Sequence, residues 1–475
     1  MGRDLILKKI LIVAAVVGTA GAAQAADMAV KAPILKAPAA QVYDWTGFYL
    51  GVNAGLSVAR DRTELQVIGT ADRSNLSPFG AIGGVQAGYN WQLNRDWLIG
   101  VEADIQASGE RDGETCLLSC TAAFATRFNQ KIDWFGTARA RLGVTDGPVL
   151  SYVTGGLAYG HYSTTLTETL TPTGLPPRTG TFSDSQTRVG FALGSGVEAA
   201  LGGNWTGKLE YLYVDLGSHT SGFTLNGAPP QTLSTRVRDN IFRGGVNYRF
   251  GGGGNSAPLA TAMWTGFYLG GNAGSILGRN PSSFNNIANT FADRYHLVPD
   301  GYTGGGQAGY NWQAGTWVFG VEADFQGAFA RDKDACIGSC GTATQIPIKQ
   351  TLPWLGTARG RIGYSYGSTL FYGTAGFAYG ETKTTIAGPP GSGITFTPTH
   401  QKGGWTAGAG IETPLKLFSL FGPNWTTKTE YLYVDLGRTT DRLTPTTATV
   451  STRTQEHIFR TGINYHFNAV TPSGR

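Results

Sequence analysis

Hydrophobic and polar positions alternate along most of this chain. Phe48, Leu50, Val52, Ala54 and Leu56 form one face of a segment whose other face is Gly47, Tyr49, Gly51, Asn53 and Gly55. Around Trp97 the apolar face is Trp97, Ile99, Val101, Ala103 and Ile105, opposite Glu102, Asp104 and Gln106. Around Trp134 it is Trp134, Gly136, Ala138, Ala140, Leu142 and Val144, opposite Asp133, Thr137, Arg139 and Arg141. A period of two marks strands with one apolar face and one polar face. Eight such segments occupy the first half, near 45–58, 79–92, 97–108, 130–145, 149–162, 187–200, 205–216 and 239–250. Tight turns at Asn94-Arg95-Asp96, Asp146-Gly147-Pro148 and Gly202-Gly203-Asn204 alternate with long, polar, Thr- and Pro-rich connections. An even number of strands, with short turns at one end and long loops at the other, predicts an all-β, antiparallel, transmembrane β-barrel. Strands of about ten residues cross a bilayer when tilted.

The pattern is written twice, at an offset close to 220. Trp45 to Gly51 returns at Trp264 to Gly270, and Gln86 to Gln92 at Gln307 to Gln313. Gly100 to Asp104 returns at Gly320 to Asp324, and Glu210 to Gly217 at Glu430 to Gly437. Both copies close on an Asn-Tyr-basic-Phe run, at Phe250 and Phe467. The period is too long for a solenoid. The reading is a barrel at 43–250, a Gly-rich linker at 251–263, a second barrel at 264–467 and a tail at 468–475. Ahead of them, Arg3, Lys8 and Lys9 precede an apolar run and Ala23-Gln24-Ala25, which reads as a signal peptide over 1–25. Residues 26–42 are an Ala/Pro-rich, disordered lead-in.

Composition decides which face meets lipid. A water-soluble sandwich would carry Lys, Glu and Thr on its polar face. Here that face is rich in Gly and sparse in charge, which suits the cramped interior of a small closed barrel. Gly supplies 70 of 475 residues and charged residues only 15%, which excludes a disordered polyelectrolyte and a helical protein. A net charge of +5 is too small to argue for nucleic acid. Trp45, Trp91, Trp97, Trp205, Tyr248 and Phe250 cluster near the short turns and read as an interfacial girdle.

The runs Asp44 to Tyr49, Gly100 to Asp104, Glu210 to Gly217 and the closing Tyr248-Arg249-Phe250 are similar to those of the small outer-membrane surface-antigen barrels of alphaproteobacteria, a porin-like family with an OmpA-like transmembrane fold. The resemblance covers each copy nearly end to end. It implies a Gram-negative outer-membrane location. It also implies lipids, lipopolysaccharide and the barrel-assembly machinery as partners, with no nucleic acid. The chain departs from the family by being a tandem and by carrying Asn468 to Arg475 after the terminal Phe467.

Sixteen strands close either as two eight-stranded barrels or as one wide, sixteen-stranded pore. The inward positions of copy one include Glu102, Asp104, Glu198 and Glu210 with Arg139, Arg141, Lys208 and Arg243. Copy two repeats them as Glu322, Asp324, Glu412 and Glu430 with Arg359, Arg361, Lys428 and Arg460. Balanced charge suits a paired plug in a narrow lumen, where an unpaired ion is costly. Two barrels are therefore expected. The charges form either a gate or structural filling.

Other chemistry is sparse. Cys116 with Cys120, and Cys336 with Cys340, fall in the second long loop of each copy and are expected as disulfides in an oxidising compartment. No cofactor and no metal site are read, and the chain is expected not to be an enzyme. A lipid-modifying enzyme would need a histidine beside Ser or Asp at the outer rim, where His161 and His219 fall; copy two has Glu381 and Thr439 there. The phosphate-loop-like run Gly202 to Lys208 lacks the Ser/Thr and the helix that chemistry requires. With no further soluble domain read after the second barrel, peptidoglycan anchoring is not expected. The expected role is structural or passive-channel, with haem or host-ligand binding through outer loops as the alternative.

Overall fold

The computed structural model describes residues 43–67, 70–115, 124–171, 174, 176–227, 229–251, 262–286, 291–336, 346–388, 391–415, 421–444, 448–468 and 470. The leader, the lead-in and most of the linker lie outside them. So do Cys116, Cys120 and Cys340, while Cys336 contributes its backbone to the end of a strand.

In the first copy β1 (Gly47–Ala59) is followed by a hairpin of β2 (Asp61–Val67) and β3 (Thr70–Leu76). Then come β4 (Phe79–Gln92), β5 (Trp97–Ser108), the short β6 (Arg111–Thr115) and β7 (Phe124–Asp146). β8 (Val149–Leu170), β9 (Arg178–Gly202), β10 (Trp205–Phe223) and β11 (Gln231–Phe250) complete it. Each long strand pairs antiparallel with the next, and β11 returns to β1, with Val52 opposite Val246. The eight long strands of the first copy (β1, β4, β5 and β7 to β11) therefore close a ring of their own.

The second copy runs β12 (Gly266–Gly278), β13 (Asn280–Asn286), β14 (Phe291–Leu297), β15 (Asp300–Ala314) and β16 (Trp317–Cys336). It continues with β17 (Pro347–Tyr366), β18 (Thr369–Ala387), the two-residue β19 (Thr395–Phe396), β20 (Thr399–Pro414), β21 (Trp425–Arg442) and β22 (Thr449–His466). β22 closes on β12, with Asn272 opposite Gly462. There are two eight-stranded barrels, and the sixteen-stranded alternative is excluded by these two closures.

The alternation is realised as an apolar outside and a filled inside. Val52, Val153 and Leu157 are more than half exposed, while Asn53, Thr154 and Ala158 beside them are buried. Trp91, Trp97, Trp205 and Phe250 form an exposed lower ring near the short turns. Trp45 does not join it. It is fully buried beneath the lumen with Leu98, Leu150 and Tyr152, and its indole Nε1 donates to the Gly147 carbonyl at 2.9 Å. An upper ring pairs Trp134 with Tyr159, and Trp354 with Tyr379.

Beyond that upper ring the expected loops are largely strand. β7 to β11 run on past it, and β2 and β3 form a hairpin that pairs with β11 at Arg62 to Val67.

The two barrels meet along β10, β11, β21 and β22. Tyr211 stacks on Phe459 at 5.1 Å, and Phe242 lies 4.9 Å from Tyr431. Tyr211 and Tyr431 are repeat counterparts, as are Phe242 and Phe459, so the contact is reciprocal in the manner of a two-fold dimer. Past the upper ring a polar clamp joins the same two barrels. Arg60 pairs with Asp300 at 2.6 Å, and Asn75 donates to Asp332 at 3.1 Å. Reciprocally, Arg279 donates to the Ser77 carbonyl at 2.8 Å and His296 lies 3.1 Å from Asp112. One backbone bridge, Arg294 to Thr115, links β14 to β6.

Burial would raise the Asp112 carboxyl. His296, Arg279 and the Ser77 N–H outweigh it and hold the group below its ordinary value.

Two outcomes follow. In a background whose native cysteines are replaced by serine, Val52→Cys with Val246→Cys should oxidise to a disulfide, since opposed strand positions fit its geometry. Val52→Cys with Ile463→Cys should not, because position 463 faces Gly271 in the other ring. For the clamp, a carboxyl with a lowered folded pKa contributes stability above its unfolded range, and loses it as pH falls through the folded value. Urea titrations from about pH 5 down to about pH 2 should therefore show a steeper loss for the parent chain than for Asp112→Asn.

Candidate functional site

Each lumen concentrates buried charges of both signs among the described residues. Glu102 and Asp104 point inward from β5, because each is one residue out of phase with the lipid-facing Val101, Ala103 and Ile105. Arg139 and Arg141 enter from β7, where Glu102 stands directly opposite Arg139. Lys208 and Glu210 come from β10, Glu198 from β9 and Arg243 from β11, with Glu210 opposite Arg243.

These side chains form one continuous network. Arg139 bridges Glu102 at 2.5 Å, Asp104 at 3.0 Å and Glu210 at 3.0 Å. Arg243 holds Glu210 at 2.5 Å and Asp104 at 2.8 Å. Lys208 sits 2.9 Å from Glu102, and Arg141 2.8 Å from Glu198. The second barrel repeats the arrangement. Arg359 pairs with Glu322, with Asp324 at 3.0 Å and with Glu430 at 3.0 Å. Arg460 lies 2.9 Å from Asp324 and 2.6 Å from Glu430, Lys428 2.7 Å from Glu322, and Arg361 2.7 Å from Glu412. All sixteen charged residues named from the sequence lie in these two lumens, and their side chains are essentially without solvent exposure.

Tyrosines, hidden in the sequence among small residues, complete the network. Tyr49 donates to Glu102 at 2.7 Å and accepts from Arg141 at 2.6 Å. Tyr152 donates to Glu210 at 2.9 Å, while its ring lies 3.9 Å beneath the Arg141 guanidinium. Tyr268 and Tyr372 do the same for Glu322 and Glu430. Gly88 and Gly196 make the space, since a Cβ at either would collide with the Tyr49 or Tyr152 hydroxyl. The only sequence signal was phase: Tyr49 alternates with apolar residues on the Gly/Asn face.

Apolar layers close the network above and below. Below it lies the Trp45, Leu98 and Leu150 cluster, matched by Trp264, Val318 and Leu370 in the second barrel. Above it Phe135, Ala192, Leu212 and Ile241 fill the first lumen, and Leu355, Ala378, Leu432 and Ile458 the second. The alternation concealed these layers, because runs such as Leu212-Tyr213-Val214 are apolar on both faces.

The rim histidines named from the sequence stand on β8 and β10. His161 is half-buried on the outer surface, stacked on Trp134, with Ser185 Oγ 3.0 Å from Nε2 and Thr187 Oγ1 3.2 Å from Nδ1. Asp133 lies 3.9 Å from the same Nε2 that faces Ser185, while Nδ1 faces the Thr187 hydroxyl. His219 lies 2.6 Å from the Gln186 amide and 3.6 Å from Asp184. Gly202 to Asn204 is a strand-to-strand turn, with both glycines at positive φ.

Comparison with known proteins agrees with this architecture. The outer membrane protein beta-barrel domain family matches residues 12–250 and again residues 252–467. The chain is 34% identical over 254 residues to the 31 kDa outer-membrane immunogenic protein of Brucella melitensis, covering 51% of this chain and 100% of that protein. It is 35% identical over 182 residues to the 22 kDa outer membrane protein of Rhizobium leguminosarum bv. viciae, covering 38% of this chain and 68% of that one. With the 25 kDa outer-membrane immunogenic protein of Brucella melitensis it shares 29% identity over 247 residues, 51% of this chain and 99% of the relative.

Removing one cation from the network strands its carboxylates in a dry lumen. Arg139→Ala should cost about 3–5 kcal/mol in urea unfolding from lipid vesicles. Arg359→Ala should cost the second barrel a similar amount.

Proposed function

The chain belongs to the outer membrane protein beta-barrel family and is an integral protein of the outer membrane, and we propose on that premise that it acts structurally, as two sealed barrels joined side by side. The observation that carries this reading is the stack across each lumen: an apolar floor, a fully paired ion network and an apolar ceiling. A passive channel needs a continuous wet path, and unpaired or rehydrated charges along it. In this lumen each cation is held by two or three carboxylates, so conduction requires breaking several buried pairs at once.

On this reading the barrels add rigid, lipid-embedded mass to the envelope and carry their β-extensions outward. Lipopolysaccharide is the proposed outer partner. The exposed Lys349 and Lys383 stand on neighbouring strands just beyond the upper ring of Trp354 and Tyr379, where lipid phosphates lie. The assembly machinery is the proposed partner during insertion. It would recognise the closing strands β11 and β22, the first ending at Phe250 and the second followed directly by Phe467.

The test is single-channel recording of the folded protein in a planar bilayer. No steady open level is expected, and Arg139→Ala should produce flickering steps as the network loosens. Large, steady steps from the parent protein would overturn the sealed-barrel reading.

A further inference from the structure

At the edge of its apolar ceiling, barrel one buries three carboxyls side by side. Asp61 opens β2, Glu110 lies between β5 and β6, and Asp239 stands on β11 opposite Ala59. Asp61 accepts from the Gln130 amide at 2.7 Å and from the Arg238 N–H at 2.9 Å. Asp239 accepts from Ser57 Oγ at 2.5 Å, and Glu110 from Ser108 Oγ at 2.8 Å. The Glu110 carboxyl also donates to the Asp239 carboxyl. Two carboxyls joined in this way hold a proton between them, because neither anion has a hydrogen to give.

The charges around the trio come from several strands. Arg238 acts on Asp61 from β11 with its charge as well as its N–H. Arg188 enters from β9, with its guanidinium over the Tyr162 ring at 5.0 Å and 3.5 Å from the Thr235 carbonyl. Asp112 adds a fourth negative field to Asp61 from the clamp, where His296 and Arg279 hold it. Burial, and after it the charge of Asp239, pushes the Glu110 carboxyl well above its ordinary value, and burial does the same to Asp61. Barrel two has one acid at these three positions. Asn280 stands for Asp61, Ala330 for Glu110 and Glu456 for Asp239. Asn280 Nδ2 donates to Gln350 at 2.7 Å and to Glu456 at 3.4 Å, so a neutral amide fills the place of an anion. The trio is therefore no requirement of an eight-stranded ring. What it adjoins is the clamp. Arg60, the residue before Asp61, reaches Asp300 with its side chain, and its N–H donates to the Arg238 carbonyl at 2.8 Å. The hairpin that Asp61 opens leads on to Asn75 and Ser77, the other clamp residues of barrel one.

We propose that the trio is a proton-operated latch: the proton between Glu110 and Asp239 keeps the β2–β3 hairpin seated on barrel one, and its loss to bulk water unseats the hairpin and opens the clamp to barrel two. Three anions in one dry layer repel one another and are not hydrated where they stand. Asp61 is the member able to leave, since it sits at the base of a two-stranded hairpin and outside the closed ring. A carboxyl with a raised folded pKa contributes stability that is complete below its unfolded value and is lost as pH rises through the folded one. The latch thus fails on the alkaline side. Asp112, with its lowered value, makes the same clamp fail in acid. Together they confine the clamp to a window of pH.

The experiment follows hydrogen–deuterium exchange of the full chain in lipid vesicles, read by mass spectrometry and divided by the exchange rate of an unstructured peptide at each pH. Protection of peptides covering β2 and β3 should fall about tenfold between about pH 6 and about pH 9, while those covering β4 and β5 keep theirs. Asp61→Asn with Glu110→Ala installs the residues that barrel two carries at the mirror positions, and should hold protection level across that range. Glu110→Gln, whose amide can still donate to Asp239, should also flatten the fall and serves if heat-modifiable gel mobility shows the double variant unfolded. Infrared spectra follow the proton itself: the carboxylic-acid band that the parent chain loses over the same range should be smaller in both variants. Constant protection in the parent chain, an equal fall in parent and variants, or an equal loss of the band in all three would overturn the proposal.

Discussion

A charge inside an eight-stranded barrel has no water to turn to, and the pairing this forces organises most of the molecule. An isolated ion there costs several kcal/mol, on the order of what a small domain has to spare. Arg139 therefore reaches three carboxylates, and Arg243 shares two of them. Tyr49 and Tyr152 supply hydrogen bonds that the cations leave unmade, and Gly88 and Gly196 open room for those rings. Ring size follows from the same constraint. A wider barrel would hydrate these groups and remove the need for such a set, whereas a narrow one requires all of it at once.

The membrane-crossing parts of the fold were legible because two opposite environments act on alternate residues. Segments 79–92 and 97–108 coincide with β4 and β5 at both ends, since a tight turn closes one end and the lipid boundary marks the other. Past the upper ring that contrast disappears. Ser163 to Leu170 and Arg178 to Gln186 continue β8 and β9, yet Thr and Ser fill one face and neither face meets lipid, so alternation of hydropathy is weak. Trp45 precedes its strand, outside any period, and only its packing on Leu98 and Leu150 and its bond to Gly147 reveal that it turns under the lumen.

The lumen was legible as a set of residues and illegible as a set of partners. Phase places Glu102, Arg139, Lys208 and Glu210 on the inward side. It does not say that Lys208 reaches across to Glu102 or Arg243 to Asp104, because those contacts cross the ring and depend on the stagger of its strands. The contact between barrels was illegible for a different reason. Phe242 and Tyr211 face outward, and an apolar residue facing outward reads the same whether lipid or another barrel covers it.

That difference accounts for how the two copies have diverged. All eight lumen charges of the first barrel keep their residue type in the second, as do Tyr49 and Tyr152 at Tyr268 and Tyr372. A change at any one of them leaves a buried partner unpaired, so single substitutions are costly whichever residue changes first. On the outer faces a substitution answers only to the medium it meets. Leu209 and Thr429 occupy mirror positions beside the contact, one apolar and one hydroxylic. Fusion in one chain permits this. In a dimer of identical chains both sides would have to change together, whereas the tandem lets one side of a near-symmetric contact acquire hydroxyls while the other stays apolar.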